Sequence, residues 1–234
     1  WVRINNLLTP WGQEDLEMAL DFPIDGLVYP CVRGAEEVWA IRRRMVERGS
    51  TAELKLIVET PQSVMNLNDL ARVPGVTSLI HGSGDLSMET GISIQDRTSF
   101  GVTAAMTVIA ARAFGHSVTE GIHLDDWRNP DAVLAYVKHA KLQGFDGLHS
   151  FYLPNMKIIN EVFTPTAAEV EHAERVVTAF ERAQAAGNPA VVLDGKAILV
   201  HQYERAKSVI GQNRMIQSGW RDDSQNSKKQ ELAR

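Results

Sequence analysis

Short apolar runs alternate with helical patterns along most of this chain, and that alternation is what most restricts its fold. Strand-like runs fall at residues 1–5, 26–30, 54–58, 76–81, 120–124 and 147–152. Between them lie helical patterns. One covers 10–20 and ends near Pro23; another covers 35–48, with Val38, Ile41, Met45 and Val46 on one face and a stop at Gly49. A third covers 64–71 and is halted by Pro74-Gly75, and a fourth covers 103–114 and ends at Gly115. Asn129-Pro130 opens a fifth, with a capping side chain followed by Pro at the first helical position, and that helix ends near Gly144. Repeated strand–helix units imply a parallel sheet covered by helices. Six such units precede residue 153, two short of a closed (β/α)8 barrel.

Two of the apolar runs close on an acid. Lys55-Leu56-Ile57-Val58 runs into Glu59-Thr60-Pro61, and the run ending at His81 continues into Gly82-Ser83-Gly84-Asp85. A carboxylate just past the end of a parallel strand points at the face where α/β proteins place their chemistry. Two of them on successive strands can converge on one hard cation such as Mg²⁺. Read singly, Glu59 is equally a salt-bridge partner or helix cap, and Asp85 a cap of the following turn. The Gly-rich segment lacks the Lys-Ser/Thr ending of a phosphate loop. Gly82 and Gly84 therefore serve backbone geometry around Asp85.

Composition removes several function classes. The chain has 234 residues and a net charge of -5, with no basic block long enough to follow a phosphate backbone, so nucleic acid is not expected as a partner. Arg42-Arg43-Arg44, its one dense basic run, reads as a solvated helix face. Cys31 is the only cysteine, which excludes an intrachain disulfide, fits a cytoplasmic protein and reads as a small buried core residue. The most apolar stretch, 102–114, is too short to span a bilayer and contains Arg112, so no membrane association is expected. No signal peptide is visible. The chain opens on Trp1 rather than Met, so further residues are expected upstream, or another chain covering the open sheet.

Beyond the sixth unit, Thr166 and Glu169 fit a capping box for a long helix. Its apolar stripe is Val170, Ala173, Val177, Phe180 and Ala183, and it ends at Gly187 with Pro189 beyond. A last short helix is expected over 203–210. The organisation expected is a barrel domain with a helical extension over 1–212, then a polar, mobile tail over 213–234.

The ordered motifs resemble a known family. Val2-Arg3-Ile4-Asn5, Asp25-Gly26-Leu27-Val28-Tyr29-Pro30, Val58-Glu59-Thr60-Pro61 with Asn66, and Gly82-Ser83-Gly84-Asp85-Leu86 are similar to the citrate lyase beta-subunit group of CoA-ester lyases, within the HpcH/HpaI aldolase superfamily. Ala110-Ala111-Arg112-Ala113, Gly144-Phe145-Asp146-Gly147 and Ile159-Asn160-Glu161-Val162-Phe163-Thr164-Pro165 continue the likeness in order. The resemblance implies a TIM barrel, here lacking its first two strands, with Mg²⁺ at the C-terminal face. It places the metal ligands on Glu59 and Asp85, and substrate contacts on Arg3, Glu59, Gly84 and Asp85, with Arg3 also in the catalytic role. It implies cleavage or formation of a carbon–carbon bond between an acyl-CoA and a 2-keto acid, of the citryl-, malyl- or citramalyl-CoA type. It also implies a homo-oligomer, trimer or hexamer.

This chain departs from the family pattern at three places. Leu148 and Leu153 stand where relatives carry Lys and His, and Leu199 stands where some relatives carry an Asp that serves a neighbouring subunit. Those changes keep three alternatives open: a class II aldolase on a CoA-free hydroxy-keto acid, thioester hydrolysis following cleavage, and a non-catalytic paralogue. The general base is not marked by any motif. His123, Asp125, Asp126 and His149 lie near later strand ends, and His81 reads as a satisfied core residue.

Overall fold

A computed structural model describes residues 1–188 and 190–218, apart from the side chain of Arg97. Pro189, Trp220 and the part of the expected tail over 219–234 lie outside the described residues. The chain divides into two compact units, Trp1–Phe163 and a second that begins at Thr164.

The first unit runs β1 (Val2–Arg3), α1 (Gly12–Leu20), β2 (Gly26–Tyr29), α2 (Ala35–Glu47), β3 (Glu53–Val58), α3 (Pro61–Met65), α4 (Leu67–Ala71) and β4 (Val76–His81). It continues through α5 (Ser83–Thr90), α6 (Arg97–Ala113), β5 (Ser117–Gly121), α7 (Pro130–Gln143), β6 (Gly147–His149) and α8 (Asn155–Phe163). All six strands pair in parallel, in the order β1-β2-β3-β4-β5-β6, as one curled sheet on the (β/α)8 barrel plan. Sequential parallel neighbours require a crossover after each strand, and the helices supply it.

Alternation along the strands sorts their side chains. Leu54, Leu56 and Val58 are fully buried toward the helices, in one core with Leu27, Tyr29, Leu79, Val118, Ile41 and Met45. Burying each such Leu stabilises the fold by roughly 1.5–3 kcal/mol. Lys55, Ile57 and Glu59 alternate to the opposite side, the concave interior. There the Lys55 ammonium lies 3.7 Å from the Trp1 ring centroid, and desolvation lowers its pKa. Sheet register pairs Ile57 with Ile80 and Val58 with His81, so His81 faces outward to the helices.

Several elements depart from the sequence expectation. β5 sits three residues earlier than the 120–124 run. Asp146 accepts the Val118 N–H at 2.8 Å, and Thr119, Glu120 and Gly121 pair with β6. The slide buries Glu120 within the strand and carries His123 past its end. Helix α6 begins at Arg97 because the Asp96 carboxylate accepts the N–H groups of Thr98 and Ser99. Helix α8 escaped the pattern because Pro154 and Pro165 bracket it, yet Asn155, Ile159 and Phe163, four residues apart, form its buried stripe.

The second unit holds α9 (Ala167–Ala185), β7 (Val192–Leu193), β8 (Lys196–Ala197) and α10 (Val200–Gln217). The Thr166–Glu169 capping box is formed as read. Asp194 and Gly195 both adopt positive φ, 50° and 73°, which is what a two-residue hairpin turn demands. α10 outruns the expected 203–210 and passes the expected boundary at residue 212. Polarity alone does not end a helix, and Arg214, Met215 and Gln217 are good helix formers.

Candidate metal centre

Glu59 leaves β3 directly into a helix start that fixes its position. The Thr60 side chain accepts the Ser63 N–H, the Ser63 hydroxyl accepts the Thr60 N–H, and Pro61 occupies the first helical position. Glu59 is only 9% exposed. Its Oε1 accepts the Cys31 N–H at 2.7 Å, with the Cys31 sulfur 3.4 Å away. Desolvation raises the Glu59 pKa, the Cys31 N–H opposes that, and the Asp85 charge adds to it. Arg3 acts in the lowering direction, which puts its charge within electrostatic reach.

Asp85 comes from the neighbouring strand by a different route. The segment after β4 forms a helix beginning at Ser83, which the sequence reading did not expect. Asp85 lies in its first turn, where a carboxylate is favoured by the helix dipole. The side chain is exposed, and Oδ2 lies 3.9 Å from Cys31 Sγ. Ligand atoms of Cys31, Glu59 and Asp85 all fall within 4.8 Å of one another. The two acids read from sequence thus share one ion-sized space, and a donor set of two carboxylate oxygens fits Mg²⁺.

Cys31 corrects the sequence reading. It is half-buried rather than a core residue, and it holds φ at +48°. A non-glycine residue there costs on the order of 1–2 kcal/mol, so the surroundings must enforce it. They do so at four successive carbonyls. Asn6 donates to Pro30 and Cys31, Thr60 donates to Val32, and Asn66 donates to Arg33. Asn66 therefore steadies the loop across from the acid pair while it links α3 to α4. Asn6 and Thr60 carried no sequence signal for this role, because their partners are 24 to 28 residues away.

Glycines make the room. A Cβ on Gly82 would lie 2.7 Å from Glu59 Cβ, and one on Gly84 would lie 2.4 Å from His123 Nε2. Gly84 thus lets the His123 ring pack against the first turn of α5, which carries Asp85. His123 Nδ1 is buried without a hydrogen-bond partner among the described residues. Arg3 ends β1 with an exposed side chain and makes no hydrogen bond or ion pair among the described residues. Asp125 accepts from Gln95 and Asp126 from Asn129, both in exposed turns. His149 ends β6, and desolvation together with the Lys55 charge lowers its pKa.

His81 is satisfied, as read. It meets Glu120 Oε2 at 2.7 Å and Thr103 Oγ1 at 2.9 Å, and Tyr136 donates to Glu120 Oε1. This cluster lies on the helix side of the sheet, away from the acid pair.

The sequence profile of the HpcH/HpaI aldolase/citrate lyase family matches residues 1–152. The chain belongs to the HpcH/HpaI aldolase/citrate lyase family. Within that family it is 30% identical to a (3S)-malyl-CoA thioesterase of Cereibacter sphaeroides, over 84% of this chain and 68% of the relative. It is 24% identical to the mitochondrial citramalyl-CoA lyase of Mus musculus, over 89% of this chain and 67% of the relative. Its fold matches the crystal structure of CitE from Mycobacterium tuberculosis in complex with magnesium, acetoacetate and coenzyme A. That match has a TM-score of 0.74 at 19% identity, covering 91% of this chain and 77% of the other. The HpcH/HpaI site residues expected here, Arg3, Glu59, Gly84 and Asp85, all lie at the C-terminal ends of β1, β3 and β4. No helix among the described residues is long and apolar enough to cross a membrane.

Proposed function

We propose that this protein is a Mg²⁺-dependent carbon–carbon lyase acting on a 3-hydroxyacyl-CoA of the malyl, citramalyl or citryl type. Its products are an acyl-CoA and a 2-keto acid. The observation that carries this reading is the convergence of Glu59 and Asp85 on one ion-sized space at the sheet's C-terminal face. The magnesium complex of the Mycobacterium tuberculosis relative and the lyase name of the mouse relative support it. Bound there, Mg²⁺ supplies Lewis-acid polarisation of a carbonyl oxygen, worth several kcal/mol of charge stabilisation.

The chain's own residues set up the rest. Glu59 is held by the Cys31 N–H, so its carboxylate is oriented before any ion arrives. Its raised pKa means that burial disfavours the anion, and a cation in the site reverses that penalty. Asp85 is exposed and gives the site an entry path. Arg3 has no protein partner among the described residues, and its planar fork matches a substrate carboxylate. Gly82 and Gly84 keep side-chain bulk out of the site floor. The assembly we propose is a homo-oligomer, and the compartment the cytoplasm.

A panel of malyl-, citramalyl- and citryl-CoA with Mg²⁺ tests this reading. Release of a keto acid that stops in Glu59→Gln is the expected result. A negative CoA panel with a positive free hydroxy-keto acid would replace the reading with a class II aldolase. A second reading is favoured by the thioesterase name of the Cereibacter sphaeroides relative. Under it, hydrolysis of the thioester releases free CoA, which a thiol reagent measures in the same assay.

A further inference from the structure

The two carboxylates do not stand alone: a thiol shares their space. Cys31 Sγ is 3.4 Å from Glu59 Oε1 and 3.9 Å from Asp85 Oδ2. We propose that Cys31 is a third ligand of this centre, and that it gives the site a second occupant, a thiophilic divalent cation of the Zn²⁺ class. This rests on the reading that Glu59 and Asp85 hold a divalent ion.

Three observations carry it. The first is donor spacing. A Zn–S bond of about 2.3 Å and a Zn–O bond of about 2.1 Å at the tetrahedral angle set sulfur and oxygen about 3.6 Å apart, against about 3.1 Å for a right-angled octahedral pair. The separations of 3.4 and 3.9 Å bracket the tetrahedral value. Cysteine sulfur and carboxylate oxygen are both ordinary zinc donors, and a site with three protein ligands keeps a fourth position open.

The second is the conformation of Cys31. Its positive φ turns both the N–H and the thiol toward Glu59. Asn6, Thr60 and Asn66 clamp the carbonyls of that loop, so the thiol is presented by a fixed backbone. The third is access. Cys31 is half-buried and Asp85 is exposed, so an ion can reach the three groups from solvent.

The Glu59 and Asp85 carboxylates flank the sulfur, so the field at it is negative. A dication between the three groups inverts that local field, and the thiol proton leaves to water as the sulfur–metal bond forms. Mg²⁺ prefers oxygen and would use the carboxylates alone, while Zn²⁺ and Co²⁺ accept the sulfur.

The test titrates the whole protein with Co²⁺, Zn²⁺ and Mg²⁺, each alone, with no substrate present. In wild type we expect a near-ultraviolet thiolate-to-cobalt absorption that Zn²⁺ displaces and Cys31→Ser lacks. Cys31→Ser should lose at least about ten-fold in Zn²⁺ affinity and keep its Mg²⁺ affinity within about two-fold. Should the variant fold poorly, wild-type thiol reactivity toward a disulfide reagent serves instead: Zn²⁺ should block it and Mg²⁺ should not. Cobalt binding without the thiolate band, or unchanged thiol reactivity under Zn²⁺, overturns the proposal and leaves the lyase reading standing. Failure of wild type to bind any of the three ions overturns both.

Discussion

Two polar clusters lie at the ends of neighbouring strands and have opposite characters. On the helix side, His81 is 1% exposed and Glu120 is 4% exposed. There both His81 ring nitrogens and both Glu120 oxygens have partners within the protein. On the concave side, Cys31, Glu59 and Asp85 crowd like-charged or acidic groups together, with a left-handed residue among them. Glu59 has its one strong partner in a backbone N–H, and Asp85 meets only the Cys31 thiol among the described residues. Buried polar groups are normally satisfied by the protein itself. A cluster that the protein leaves incomplete, in a strained backbone, is where an external partner is expected. The first cluster ties the sheet to α6 and α7. The second is where we propose that a divalent ion binds.

Removing Glu120 should cut deepest into stability. Glu120→Ala leaves the buried His81 Nδ1 without its carboxylate partner, at about 3 kcal/mol by chemical denaturation. Divalent-ion affinity should stay unchanged, and a loss there would erase the distinction between the clusters. Glu59→Gln should do the reverse. We expect at least about a 100-fold loss in Mg²⁺ or Mn²⁺ affinity by calorimetry, because a neutral amide is a poor ligand for a hard cation. Its fold should be as stable as wild type, or about 1 kcal/mol more stable in chelator, since a desolvated charge is gone.

Gly84→Ala comes next. The added Cβ meets His123 Nε2 at 2.4 Å, and His123 or the first turn of α5 must shift. About 1–2 kcal/mol of stability should be lost, with weaker ion binding, and an unaltered melting curve would show the contact to be soft. The smallest effect is a pH dependence. Burial raises the Glu59 pKa, so between the ordinary and raised values the folded state keeps a proton that the unfolded chain has released. Stability in chelator should therefore be greatest below the ordinary carboxylate pKa and fall as pH rises through this window. Denaturation of wild type against Glu59→Gln isolates that slope. A slope shared by both proteins assigns it to other groups.

The two clusters differ in how far the sequence alone reveals them. The acid pair was readable, because a strand ending in Pro or Gly announces itself locally, and Glu59 and Asp85 each sit within a few residues of such an end. The six parallel strands were readable for the same reason. The helix-side cluster was half visible: His81 looked like core, yet its partner Glu120 was assigned to the wrong part of β5. The ladder with β6 and the Asp146 acceptor, far along the chain, decided that register. Helix α5 was hidden because Gly82 and Gly84 look like turn residues, when their real function is to make room for Glu59 and His123.

What the chain determined by itself was periodicity, caps and strand ends, which are short-range properties written in runs of a few residues. Only the tertiary structure decided what faces Glu59. Cys31 reads as an ordinary small apolar residue. It becomes a neighbour of two carboxylates because Asn6, Thr60 and Asn66, from three other segments, hold its loop in a left-handed turn. A backbone conformation enforced by distant hydrogen bonds leaves no local pattern, since no residue near Cys31 needs to change type to permit it.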